Sequence, residues 1–153
     1  MNPAAGVVLG KDGVIYGTTE RGVTADGTVF TLTPPTKPGG SWHERILHFF
    51  VNNGTGGAFP SGLVLDIKGD LYGPTPAGGV YGAGEIFQLK APKKGERPWI
   101  FTTLYNFLES PDGDEPTGDL TFDGSGNLYG ITSVGGTGPC QGGGCGTVFE
   151  FNP

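Results

Sequence analysis

Val14-Ile15-Tyr16-Gly17-Thr18-Thr19, Asp70-Leu71-Tyr72-Gly73-Pro74-Thr75 and Asn127-Leu128-Tyr129-Gly130-Ile131-Thr132 are three versions of one phrase. Their tyrosines stand 56 and 57 residues apart. A fixed period of that length marks a tandem array of small supersecondary units, each unable to bury its apolar surfaces alone. The period decides the architecture, and it leaves function open, because no catalytic motif accompanies it.

Composition bounds the class. Of 153 residues, 31 are glycine, about one in five where ~7% is usual. With 13 prolines this resembles a low-complexity chain, but periodic aromatic and β-branched runs argue for a folded one. The glycines then read as turn residues between many short strands. The net charge is −6, with only nine Lys and Arg, so the basic footprint that nucleic acid requires is missing. No apolar stretch approaches the ~20 residues of a membrane span, and Met1-Asn2-Pro3-Ala4-Ala5 does not read as a signal peptide. The chain therefore reads as a mature form or as a piece of something longer.

Each unit contains up to four candidate strands. The first is an apolar run: Gly6-Val7-Val8-Leu9, Gly62-Leu63-Val64-Leu65, and Leu120-Thr121-Phe122. A turn follows, Gly10-Lys11-Asp12-Gly13, Asp66-Ile67-Lys68-Gly69 or Asp123-Gly124-Ser125-Gly126. An Asp opening such a turn accepts backbone N–H groups two residues on, and the closing Gly supplies positive φ. The Tyr-Gly phrase is the second strand. The third is Gly27-Thr28-Val29-Phe30-Thr31-Leu32, Gly84-Glu85-Ile86-Phe87-Gln88-Leu89 and Gly146-Thr147-Val148-Phe149-Glu150-Phe151. From Tyr to Phe the copies count 14, 15 and 20 residues, so the third unit carries the longest insertion. A fourth strand runs from Trp42 to Phe50 and from Trp99 to Phe107. Four short antiparallel strands per unit predict an all-β chain of β-propeller blades, with both faces of most strands buried. The blades fall at about residues 3–50, 60–107 and 116–153, in one repeat domain covering residues 1–153.

The pattern Gly-Leu-x-Leu-Asp-x-x-Gly-Asn-Leu-Tyr-Gly-x-Thr, followed by Gly-Thr-Val-Phe-x-Leu and a Trp-to-Phe strand, resembles the bacterial GloVer-type tandem repeat. The Asp-x-x-Gly-Asn-Leu-Tyr turn is more distantly similar to that of NHL and gluconolactonase-like propellers. The resemblance covers nearly the whole chain and implies a propeller, in proteins that are often surface-anchored and have no assigned activity. Departures are Gly10 in place of Asp, Pro74 within the Gly-Thr-Thr segment, and Glu85 where Thr28 and Thr147 stand.

The third unit stops at Phe151-Asn152-Pro153, before any Trp strand, so eleven strands make an incomplete third blade. Known propellers need about four blades or more to close. Two arcs related by a two-fold axis give six, so a homodimer completing the ring is expected; a fragment of a longer chain is the alternative.

Candidate chemistry is sparse. Asp66 and Asp123 read either as turn residues or as ligands for calcium, the one cofactor entertained. Asp112 and Asp114 belong to the acidic loop Asp112-Gly113-Asp114-Glu115, which lacks the later Glu of an EF-hand loop. Tyr16, Tyr72, Tyr129, Trp42 and Trp99 recur once per unit, which points to core packing between blades rather than to sugar platforms. Tyr81 lies in a Gly-rich loop, where an aromatic ring is exposed for contact. Glu85 replaces a threonine in a strand and, if it faces the channel, is a weak candidate acid or base. Cys140 and Cys145 share one loop; no second ligand pair completes a metal site, and a disulfide is favoured over free thiols. That points to an extracellular, periplasmic or cell-surface location. No Gly-x-Ser-x-Gly or phosphate cradle is present. Two functions follow as expectations. One is a non-enzymatic scaffold binding glycans or proteins through its connecting loops, with Tyr81, Glu85 and Pro74 as ligand-binding candidates. The other is a lactonase-like hydrolase or lyase with a channel metal.

Overall fold

The computed structural model of the protein describes residues 2, 3, 5–22, 26–93, 98–140 and 144–153, without the side chain of Asn2. The described chain is all-β, folded into successive antiparallel sheets. The first sheet holds β1 (Asn2–Pro3), β2 (Val8–Leu9), β3 (Ile15–Arg21), β4 (Thr28–Thr33) and β5 (His43–Phe49). Its order is β1-β3-β4-β5, and β2 pairs with β3 beside β1. The second unit contains β6 (Gly57–Ala58), β7 (Val64–Leu65), β8 (Leu71–Thr75), β9 (Ala77–Gly78), β10 (Glu85–Lys90) and β11 (Ile100–Asn106). Strands β7, β8, β10 and β11 form a four-stranded meander, and β6 pairs with β9. The third sheet has only β12 (Asp114–Phe122), β13 (Leu128–Val134) and β14 (Val148–Phe151).

Each unit begins earlier than its apolar run suggested. Asn2 pairs with Arg21, Ala58 with Ala77, and Asp114 with Val134, so the first strand reaches upstream in all three copies. It is broken on the way: β12 shifts register between Thr117 and Thr121, and units one and two split the strand into two short pieces. The first described strands of the three units thus begin at Asn2, Gly57 and Asp114. Hydrophobicity cannot reveal these lead segments, because Asn-Pro, Gly-Ala and Asp-Glu-Pro are held by backbone pairing rather than by an apolar face.

The recurrent Tyr-Gly and Phe are one device. Gly17, Gly73 and Gly130 lie directly across from Phe30, Phe87 and Phe149. In each case a Cβ on the glycine would run into the phenyl ring. The third-strand Phe covers the bare glycine, which fixes register and buries backbone together.

Packing between units is also repeated. Val29 and Phe50 of unit one cluster with Leu63, Leu71, Phe87 and Leu89 of unit two. Ile86 and Phe107 of unit two meet Leu120 and Leu128 of unit three in the same way, with Phe149 and Phe151 packed alongside. Phe50 lies 5.0 Å from Phe87, and Phe107 lies 5.2 Å from Phe149. Tyr16 meets Trp99 edge-on at 6.0 Å, while Tyr72 meets Phe122 at 5.2 Å. Trp42 departs from its expected core position: it is half-exposed.

In units one and two the glycine opening the third strand is forced by two neighbours. Gly84 has φ 88°, and a Cβ there would strike the Thr75 carbonyl and the Pro116 ring of the next unit. Gly27 stands the same way against the Thr19 carbonyl and Pro60. Gly84→Ala should therefore destabilise the chain by about 2–4 kcal/mol, combining left-handed strain with overpacking. Gly6→Ala, where a Cβ meets nothing within 4 Å, should be close to neutral. Urea unfolding midpoints of the two variants provide the comparison.

Candidate functional site

The turn carboxylates are occupied by their own turns. Asp66 Oδ1 accepts the backbone N–H groups of Lys68 and Asp70, each at 2.8 Å. Asp123 Oδ1 does the same for Ser125 and Asn127, and its Oδ2 takes the Asn127 side-chain amide at 2.9 Å. The Asn127 amide, with those of Ser125 and Gly126, holds the Asp123 carboxyl below its usual range. Unit one lacks this acceptor, and its turn keeps the backbone bond that all three units share, here Gly10 N–H to the Val14 carbonyl. Among the described residues, no group of three or more His, Cys, Asp or Glu side chains is arranged to hold a metal ion.

Glu85 sits at a position the units otherwise fill alike. Thr19 and Thr28 face each other and share a 2.7 Å hydroxyl bond, and Thr132 and Thr147 share one at 3.0 Å. In unit two the facing pair is Thr75 and Glu85. Glu85 is fully buried rather than turned to an open channel, so it meets no solvent. Its Oε2 accepts the Thr103 hydroxyl at 3.1 Å, while Oε1 and the Thr75 hydroxyl have no partner in hydrogen-bonding geometry. Burial pushes the Glu85 carboxyl up; the Thr103 hydroxyl and the nearby Gly57 backbone oppose that without reversing it. Pro74, the other departure in this strand, is also buried, and its carbonyl accepts the Ser61 N–H at 3.2 Å.

Surface character is concentrated at the loops between second and third strands. Tyr81 is more than half exposed, beside an equally exposed Val80 whose N–H is held by Asn106 Oδ1 at 3.0 Å. From this loop the Ala83 carbonyl takes the Glu115 N–H at 3.2 Å, joining unit two to the acidic turn of unit three. That turn contains a cis Ser110-Pro111 bond, with Glu109 and Glu115 at positive φ. Cys140 and Cys145 form a disulfide with Cα atoms 5.2 Å apart. Between the acidic turn and the disulfide loop lies an open groove of about 690 Å3, lined by Glu109, Asp114, Glu115, Val134, Gly136 and Thr137 among others. None of its described lining residues is basic. Glu115 Oε2 accepts the Ser133 hydroxyl at 3.0 Å, and Asp114 caps the Glu115 N–H at 2.7 Å.

The sequence candidates therefore separate. Asp114 lines the groove, and Tyr81 is exposed on the loop whose Ala83 carbonyl takes the Glu115 N–H. Asp112 points elsewhere: it accepts the Tyr105 hydroxyl at 2.8 Å and the Leu108 N–H at 3.0 Å. Burial and that bond push the Tyr105 hydroxyl up to about 12. Asp66, Asp123, Pro74 and Glu85 serve turns and the sheet interior. Glu109 was missed, since its place depends on a backbone reversal that no local motif announces.

The buried acid gives a pH test with a definite sign. Below the ordinary Glu pKa both folded and unfolded chains carry the proton, and Glu85 adds no penalty. As pH rises through the ordinary value, only the unfolded chain ionises, so stability falls until the raised folded value is passed. Glu85→Gln should therefore exceed the native chain in stability by about 0.5–3 kcal/mol at neutral pH. The difference should vanish near about pH 4, as read by thermal unfolding. A constant difference across that range would show that Glu85 ionises freely.

No curated protein matches the chain. A family model, the Gloeobacter/Verrucomicrobia repeat, matches residues 1–153. Its match spans all three units and both interfaces between them, and the chain belongs to the Gloeobacter/Verrucomicrobia repeat family.

Proposed function

We propose that the protein is a non-enzymatic binding scaffold built of β-propeller blades, holding a glycan or a protein segment at its connecting loops. The observation that carries this reading is where the units diverge. Residues that recur build sheets and interfaces, whereas Glu109, Asp114, Glu115, Gly138 and Gly144 line one open groove, and the exposed Tyr81 lies on the loop whose Ala83 carbonyl takes the Glu115 N–H. Carboxylates accept hydrogen bonds from sugar hydroxyls and from basic side chains alike. The disulfide fits a secreted or cell-surface setting.

A second copy completes the ring in this reading. Equivalent positions support it: Val29 and Ile86 are 0% and 1% exposed, but Val148 is 79% exposed. At the opposite end Leu63 and Leu120 are each 4% exposed, but Val7 is 64% exposed. The end faces thus present the same complementary surfaces that units one, two and three bury against each other. Trp42 completes the match, since Trp99 of the next unit rests on Tyr16 and Tyr129 is the third member of that series.

Light scattering after size exclusion should give about twice 15.8 kDa, and Val148→Lys or Val7→Lys should halve it. A monomeric native chain overturns the second-copy reading. For the ligand, a glycan array and a panel of basic peptides should give a binder that Asp114→Asn with Glu115→Gln weakens at least about tenfold, or about 1.4 kcal/mol. Binding that falls steeply with salt identifies a cationic protein segment, and salt-independent binding identifies a neutral glycan. Absence of binding to either set overturns the scaffold reading.

A further inference from the structure

Asn53 is the only asparagine of the chain that precedes a glycine. Asn2 and Asn152 precede proline, whose nitrogen carries no hydrogen. Asn52, Asn106 and Asn127 precede Asn53, Phe107 and Leu128, each with a side chain that crowds the adjoining nitrogen. Residues 51–55 are exposed, in the connection between β5 and β6. Gly54 has φ 92°, and a Cβ built on it would meet nothing within 4 Å. The backbone beside the Asn53 side chain is therefore bare on its own residue and uncrowded by the rest of the fold.

The Asn53 amide is also polarised. Its Oδ1 accepts the Thr55 hydroxyl at 3.0 Å and the N–H groups of Thr55 and Gly56, each at 3.2 Å. Donors gathered on one amide oxygen draw electron density from Cγ. They also stand where negative charge would develop on Oδ1 if a nucleophile added to that carbon, which is the arrangement of an oxyanion hole. The turn is tied on both sides. Asn52 donates its N–H to Asp26 Oδ2 at 2.9 Å, and the Gly56 carbonyl accepts the Gly79 N–H at 2.9 Å. These ties hold the donors in place while Cγ changes geometry.

We propose that Asn53 is a site of enzyme-free modification, at which the Gly54 nitrogen closes on the Asn53 side chain and the amide becomes a carboxylate, with the Thr55 and Gly56 donors steadying the intermediate. The Gly54 nitrogen gives its proton to water or hydroxide, and its electron pair adds to Cγ. The tetrahedral intermediate carries its charge on Oδ1 and collapses as the Cγ–Nδ2 bond breaks, Nδ2 taking a proton and leaving as ammonia. The product is a cyclic imide. Water then adds to one of its carbonyls and breaks a ring C–N bond, giving aspartate, or isoaspartate with the main chain rerouted through Cγ. Ammonia leaves, water enters, and nothing is oxidised or reduced. Aspartate keeps an oxygen for the three donors, whereas isoaspartate lengthens the main chain between the Asp26 and Gly79 ties. The connection between units one and two thereby gains a negative charge in either product.

The test holds the folded full chain in mildly alkaline buffer made with heavy-oxygen water, beside a free peptide of residues 50–57. Ion exchange and peptide mass mapping follow both. A species one charge more negative than the native −6 is expected, with ammonia lost and one heavy oxygen gained at Asn53 alone. Gly54→Ala should slow its appearance at least about tenfold. Thr55→Val, which keeps the N–H but lacks the hydroxyl, should slow it by about two- to fivefold, since an exposed donor is worth less than an enclosed one. Asn52→Gln keeps its backbone bond and should leave the rate unchanged. A chain still unconverted when the peptide has converted fully, equal conversion at the other asparagines, or indifference to Gly54→Ala overturns the proposal. A Thr55→Val chain that converts as fast as the native chain, or faster, overturns the role given to the donors.

Discussion

Everything in this fold depends on one handover: the residue that ends the fourth strand of a unit packs into the third strand of the next. Phe50 reaches Phe87 and Phe101, and Phe107 reaches Phe149. A meander of three or four short strands has two faces and cannot bury both by itself. The handover turns the outward face of one sheet into the floor of the next core. Burying a phenyl ring this way contributes roughly 1.5–3 kcal/mol, and aromatic geometry adds about 0.5–1.5 kcal/mol. Both Phe50 and Phe107 are 1% exposed, so little of that is lost to solvent.

Close packing of this kind constrains the backbone, and the constraint explains much of the glycine. Where Phe87 lies over Gly73, or Pro116 abuts Gly84, no side chain fits. The interface also includes a ring that is not a hydrocarbon, that of His48. Held flat against Phe101 and edge-on to Phe50, its imidazole is driven by burial to a pKa of about 4, so at neutral pH it acts as one more uncharged ring.

Much of this was legible in the sequence, because the handover repeats. The Tyr-Gly phrase, the Phe of the third strand and the Asp of the turn recur, and each has the structural job that its chemistry suggested. The lead segments of the first strands were not legible, since Gly57-Ala58 and Asn2-Pro3 pair through backbone alone. Nor was the fate of Glu85. The sequence marks it as a substitution for threonine, but only the register shows it facing Thr75 inside the sheet. Tyr81 was legible as a loop residue, whereas Asp114, expected in an acidic loop, opens β12. The Glu115 to Ala83 bond that joins units two and three was not legible, because no local motif announces it.

That bond also explains why the groove lies where it does. Once the first strand of a unit extends upstream, its lead segment lies beside the loop between second and third strands of the preceding unit. Glu115 is the lead residue in unit three, and Ala83 belongs to the loop of unit two. The positive φ of Glu115 turns the chain there, and Pro116 settles against Gly84. The acidic turn is thus fixed by the packing that joins the units, while its residues need not match those of Gly57 or Asn2. A repeat protein of this design varies its surface chemistry at one end of each interface without disturbing the handover that holds the interface together.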